Sequence, residues 1–150
     1  MSETVLLSVC GEVEHPLTLT SADLAALADG ELVADFHCHE GWSRRRQCWR
    51  GVRLATLLRK AGIRDAGRYV TIACDDYVVV LEHRQAEDER VLLALERDGK
   101  PLDRADGLPR LVGPAEWDCF ASVKSVDRIE LTLEPGAGTA ERIALARLRR

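Results

Sequence analysis

The chain alternates short apolar runs with turn signals and carries no long periodic segment. VLLSVC (Val5–Cys10) predicts a short buried strand, followed by a turn through Gly11–Pro16 and an extended piece at Leu17–Leu19. Thr20 stands three residues before Asp23, a hydroxyl and an acid spaced as a capping box, so a helix is expected to start there. That helix, DLAALAD, is expected to stop at Gly30. ELVADFHCH reads as a strand entering a loop, EGWSRRRQ, and CWRGV leads into a second helix. Leu54, Leu57, Leu58 and Ala61 fall on one helical face, with Gly62 as its C-terminal cap. RYVTIAC and YVVVLE are rich in β-branched residues and flank Asp75-Asp76, which suggests a hairpin. VLLALER runs into Asp98-Gly99, the strongest short hairpin signal in the chain. DGLPRLVGP gives a turn, a short strand and a break. In VDRIELTLE, Ile129, Leu131 and Leu133 alternate with charges, the pattern of a strand with one buried face. Many short strands, two or three short helices, no strict strand–helix–strand alternation and no Gly-rich phosphate loop predict a mixed α+β domain. It is expected to span residues 1–134, with a PGAG linker and a basic tail over 135–150.

Composition narrows the function classes. At 150 residues and net charge −4, the chain suits one domain and offers no global attraction to nucleic acid or anionic membranes. The N-terminus has no basic segment followed by a long apolar run, and no stretch approaches the ~20 apolar residues of a membrane helix. A cytoplasmic location is therefore expected. The five scattered cysteines are expected to be free thiols, most of them small core residues. The last eleven residues, AERIALARLRR, carry four arginines against one glutamate and could form a basic amphipathic helix.

The chemistry concentrates in DFHCHEGWS (35–43). Cys38, His37, His39 and Cys48 have the right donor atoms for zinc, but neighbouring strand residues point to opposite faces, which makes a closed tetrahedral site awkward. A thiol nucleophile at Cys38 would need a base and a cationic field, which Arg44, Arg45 and Arg46 could supply. A third reading uses Cys38 alone, as the one protein ligand to a metal that arrives already chelated by a cofactor. The basic run after it, together with Arg110 and Lys124 if the fold brings them near, would then hold the cofactor's anionic parts.

Taken in order, these segments resemble the molybdopterin-binding domain of the sulfite oxidase family, in its compact bacterial form. The resemblance rests on LLSVCGEVEHPLTLTSADLAAL, ADFHCHEGWS, CWRGVRLATLLRKAG, YVTIACDDYVVVLE, VLLALERDGKPLDRADGLPRLVGP and SVKSVDRIEL, which run from about Leu6 to Leu133. It implies a sulfite-oxidase-like α+β fold of several small sheets and a molybdenum–molybdopterin cofactor. It implies an oxidoreductase that moves an oxygen atom to or from a small-molecule substrate, with an electron-transfer protein as partner. Carried over by position, Cys38 becomes the metal ligand and Arg110 a catalytic-site residue. His37, His39, Ser43, Arg44, Arg45, Ser122, Val123 and Lys124 become cofactor-binding residues. Trp49 and Gly51 look structural, the tryptophan packing beneath the loop and the glycine permitting a turn. The chain departs from the family pattern at Asp76, Asp106 and Ser125, and begins almost at the first strand. Those departures motivate a rival reading: a metal-free domain of the same fold acting as a binding or assembly module. A thiol enzyme using Cys38 is the third.

Overall fold

The structure is a computed structural model that describes residues 4–37, 43–103, 105, 107–114 and 123–135; for 34–37 and 43–46 only the backbone is described. The elements run β1 (Val5–Gly11), β2 (Leu17–Thr20), α1 (Ser21–Leu27), β3 (Gly30–His37), β4 (Ser43–Arg53), α2 (Leu54–Ala61), β5 (Tyr69–Cys74), β6 (Tyr77–Glu82), α3 (His83–Ala86), β7 (Leu92–Arg97), β8 (Lys100–Pro101), β9 (Arg110–Val112) and β10 (Arg128–Thr132). They form two sheets. The first has the order β2-β1-β10-β5-β6, and only its β1–β10 pair is parallel. The second has the order β3-β4-β7-β8, and β9 pairs with β7 beside β8. The mixed α+β architecture is the one the pattern predicts.

The local signals explain most of the elements. Thr20 caps α1 through a reciprocal pair: its hydroxyl accepts from the Asp23 N–H at 3.2 Å, and the Asp23 carboxylate accepts from the Thr20 N–H at 2.9 Å. Helix α2 buries Leu54, Leu57, Leu58 and Ala61 and ends at Gly62, whose φ is +71°. Each of those leucines contributes about 1.5–3 kcal/mol of burial. The β7–β8 hairpin turns through Asp98 and Gly99, both with positive φ (52° and 80°), as a two-residue turn of that type requires.

The main core lies between the sheets and helices, around Leu7, Leu24, Leu57, Leu93, Leu111, Ile129 and Leu131. A smaller cluster of Trp49, Leu92, Ala94, Leu102 and Val112 occupies a separate position in the second sheet. The split follows strand parity. Leu93 and Leu111 point to the main core, while their neighbours Leu92 and Val112 point to the other face.

Several expectations are corrected. α1 ends at Leu27, where Ala28 (φ −58°, ψ 120°) already leaves helical geometry, and Gly30 opens β3 instead of stopping a helix. Arg44, Arg45 and Arg46 lie in β4, not in a loop, because Ser43–Arg53 pairs with β3 as far as His37–Ser43. Gly51 makes no turn; it sits inside β4 where β7 passes too closely for a side chain. Leu133 lies beyond the end of β10 and is 50% exposed, unlike Ile129 and Leu131. Cys10, Cys48 and Cys74 are free thiols as expected, but they are half-buried and outside the fully buried core. The linker and basic tail after residue 135 fall outside the described residues.

Candidate functional site

Strands β3 and β4 form a ribbon that outruns the sheet. β4 pairs with β7 only over Trp49–Arg53, yet its pairing with β3 continues to His37–Ser43. Cys38 and His39 stand in the sequence between those two strand ends and lie outside the described residues. The ribbon contains a register shift: Ala34 pairs with Gln47, but Phe36 pairs with Arg44. One extra residue of β4 is accommodated within the arginine run, a bulge of the kind often found beside active sites.

The second part of the site is a backbone clasp. The Leu111 N–H donates to the Val123 carbonyl at 2.9 Å, the Ser125 N–H to the Gly107 carbonyl at 2.9 Å, and the Val126 N–H to the Pro109 carbonyl at 2.9 Å. These bonds lay Val123–Val126 along Gly107–Leu111, so the fold does bring Arg110 and Lys124 into adjacent segments. Val123 and Val126 are fully buried and anchor the segment from below. Lys124 between them is exposed. A Cβ at Gly107 (φ +93°) would stand 2.8 Å from the Lys124 Cβ and Cγ, so the glycine leaves the space that the lysine stem occupies. Ser125, with φ +55°, turns the chain back toward the core. Ser122 and Asp106 lie outside the described residues.

Arg110 behaves differently from Lys124. It is only 7% exposed, and its guanidinium lies over the Trp49 ring, 5.2 Å from the centroid. Arg97 also approaches that ring, at 5.7 Å. Strand register explains both contacts. Arg110 pairs with Ala94, and Ala94 pairs with Gly51, so two small residues stand in the row between Arg110 and the far strand. Beyond that row the pairing shifts: Gly51 faces Ala94, but Trp49 faces Arg97. The extra β7 residue brings Arg97 opposite the tryptophan. Trp49 itself is 1% exposed, the packing role expected of it. It lies six residues along β4 from Ser43, roughly 20 Å of strand.

Two other thiols are not activated. Cys10 is pushed up by burial and by Glu130, against a smaller opposing effect of Arg128. Cys74 is pushed up by burial and by Asp127, Asp75 and Asp76. Surface grooves among the described residues lie away from these strands. One is lined by Arg64, Arg68, Tyr69, Glu82, His83 and Arg84 among others, another by Asp75, Asp76, Asp127 and Arg128. Neither includes a residue of β3, β4, β9 or the Val123–Val126 segment. No helix of the described residues is long and apolar enough to cross a membrane.

Comparison with known proteins decides the family. Residues 2–140 match the oxidoreductase molybdopterin binding domain. The chain belongs to that family. This molybdopterin-binding domain is 34% identical over 138 residues to the uncharacterized oxidoreductase YuiH of Bacillus subtilis, covering 91% of this chain and 69% of the relative. It is 31% identical over 157 residues to the protein-methionine-sulfoxide reductase catalytic subunit MsrP of Campylobacter jejuni, covering 92% of this chain and 52% of that one. Its fold matches the sulfane dehydrogenase SoxCD of Paracoccus pantotrophus with a TM-score of 0.79 at 24% identity, over 89% of this chain and 39% of that chain. The chain thus spans about half to two-thirds of the curated relatives' length. Each relative bears an oxidoreductase name, and nothing in them favours the metal-free module. The cofactor of the domain is molybdenum–molybdopterin, and the residues described here fit such an anionic group. Lys124 is an exposed cationic residue on a segment whose Val123 and Val126 are buried.

The stack of Arg110 on Trp49 and the backbone clasp were not readable from sequence spacing. The stack depends on β9 pairing with β7, and the clasp on bonds between Gly107–Leu111 and Val123–Val126, all contacts between segments distant in sequence. The carried-over position of Arg110 gave no sign of its burial.

Proposed function

We propose that the domain serves an enzyme that transfers an oxygen atom to or from a small substrate, with Cys38 as the protein ligand to the metal. The bound cofactor supplies the two-electron redox chemistry. The chain's own residues bind and orient. Lys124 holds an anionic part of the pterin, and Val123 and Val126 fix the height of that segment by burial. His37, His39, Ser43 and the basic run Arg44–Arg46, close to Cys38 in sequence, are proposed to help bind the cofactor. The observation that carries this reading is the clasp: three backbone bonds present Lys124, an exposed residue, beside Gly107.

The electrons exchanged with substrate pass to or from a second protein, a reading supported by the dehydrogenase and reductase names of the relatives. We place the domain end near residue 134, after β10. A cytoplasmic setting is supported by the free thiols Cys10, Cys48 and Cys74.

The test is elemental analysis of protein purified from a cofactor-competent host. Wild type is expected to carry molybdenum in proportion to polypeptide, and Cys38→Ser to lose the metal while keeping its fold by circular dichroism. Wild-type protein containing neither molybdenum nor tungsten would overturn the reading.

A further inference from the structure

We infer that Arg110 is a positioning residue: by stacking on Trp49 it holds the Lys124 segment at a fixed place relative to strand β4. The inference rests on the assignment of Lys124 to the cofactor's anionic part. It departs from the expectation that Arg110 itself meets the reacting groups.

The geometry is as follows. Arg110 lies between two of the three clasp bonds, those made by Pro109 and Leu111 to Val126 and Val123. Its backbone is held in the ladder to Ala94 of β7. Its side chain is 7% exposed and ends 5.2 Å from the Trp49 ring centroid. Trp49 belongs to β4, which begins at Ser43. The Arg110 side chain therefore adds a direct contact between the strand that carries the clasp and β4. The planar guanidinium suits this task, since it stacks on an aromatic face and resists rotation better than an ammonium. The small residues Ala94 and Gly51 leave the row between them clear. A group packed in this way moves ligands through its neighbour, so its effect should vanish when that neighbour is gone.

The test is a double-mutant cycle of Arg110→Met with Lys124→Met in the holoprotein. The readout is molybdopterin retained per folded polypeptide after gel filtration, measured by the fluorescence of the oxidised pterin. Melting temperature is recorded alongside. Each single change is expected to lower retention about tenfold, and the double change no further. Arg110→Lys, which keeps the charge but loses the plane, is expected to fall between wild type and Arg110→Met, and it serves as the probe if Arg110→Met does not fold. Additive losses would overturn the inference, because Arg110 would then touch the cofactor itself. Unchanged retention with a lowered melting temperature would also overturn it, leaving the stack a purely structural contact. Unchanged retention in Lys124→Met would sink the Lys124 assignment and the inference with it. Wild-type protein that never holds molybdopterin would instead refute the proposed function.

Discussion

Gly51 of β4 lies against the backbone of Leu93 in β7 so closely that an added Cβ would stand 2.0 Å from the Leu93 carbonyl oxygen and 2.8 Å from the Ala94 Cα. Backbone cannot move aside as a flexible side chain can. Gly51→Ala is therefore expected to force β4 and β7 apart next to the register shift. The expected cost is about 1–3 kcal/mol, the range for overpacking a close contact. Urea unfolding measures it; a midpoint equal to wild type would show that the strands separate freely there. At Gly99 no atom lies within 4 Å of an added Cβ, so any cost of Gly99→Ala comes from its φ of +80° and not from crowding.

Asp29 caps a helix to which it does not belong. Arg53 occupies the N-cap of α2 without a side-chain bond of its own. The Asp29 carboxylate instead accepts from the Arg53 N–H at 2.9 Å and from the Thr56 hydroxyl. Burial raises the Asp29 pKa, but the bonds from Arg53 and Thr56 and the charges of Arg53 and Arg59 together outweigh it, and the net shift is downward. The folded value lies below the unfolded one, so the contribution is present above about pH 4 and is lost as the pH falls through the depressed value. Asp29→Ala is expected to cost about 1 kcal/mol at pH 7, as lost caps do. Asp29→Asn should flatten the acid limb of stability against pH. An acid limb identical to wild type in Asp29→Asn would assign that slope to other groups.

Asp98 joins two strands through a reciprocal pair. Its N–H donates to the Cys48 carbonyl at 2.7 Å, and its carboxylate accepts from the Cys48 N–H at 2.8 Å. Its φ of +52° is one that Asn and Asp tolerate better than most residues. Asp98→Ala loses the acceptor and the conformational preference together. A loss of roughly 1–3 kcal/mol is expected. Asp98→Asn keeps a carbonyl acceptor and the backbone preference, so most of the stability should remain. Equal melting temperatures for the two variants would mean that the side-chain bond contributes nothing.

Local signals made much of this fold legible. The capping box at Thr20 and Asp23, the α2 stripe from Leu54 to Ala61 and the Asp98-Gly99 turn each act over a few residues, and each appears where the pattern put it. What the pattern missed is set by pairing between distant strands. The run Arg44–Arg46 looks like a loop because consecutive charges carry no period; β3 makes it a strand by supplying backbone partners. Gly51 looks like a turn residue until β7 is placed beside it. Arg110 was singled out by its position in a resemblance, but only the β4–β7–β9 order shows that its guanidinium faces a buried indole. Lys124, by contrast, is exposed beside its clasp.

The thiols give a last prediction that separates chemistry from packing. Cys10 and Cys74 both have raised pKa values, dominated by burial and reinforced by nearby carboxylates. The thiolate is the form that alkylates, so both should react with iodoacetamide more slowly than the same residues in unfolded protein at pH 8. Residue-resolved mass spectrometry measures this directly. Rates in the folded protein that match those in denaturant would contradict the assigned environments. Cys38 is expected to behave oppositely when the cofactor is removed: protected as a metal ligand in the loaded protein, it should become alkylated once molybdopterin is stripped. Because Cys10 and Cys74 hold no cofactor in this reading, their rates should not change on stripping. A change confined to Cys38 would place the cofactor at that residue, whereas a rise at all three thiols would indicate general unfolding.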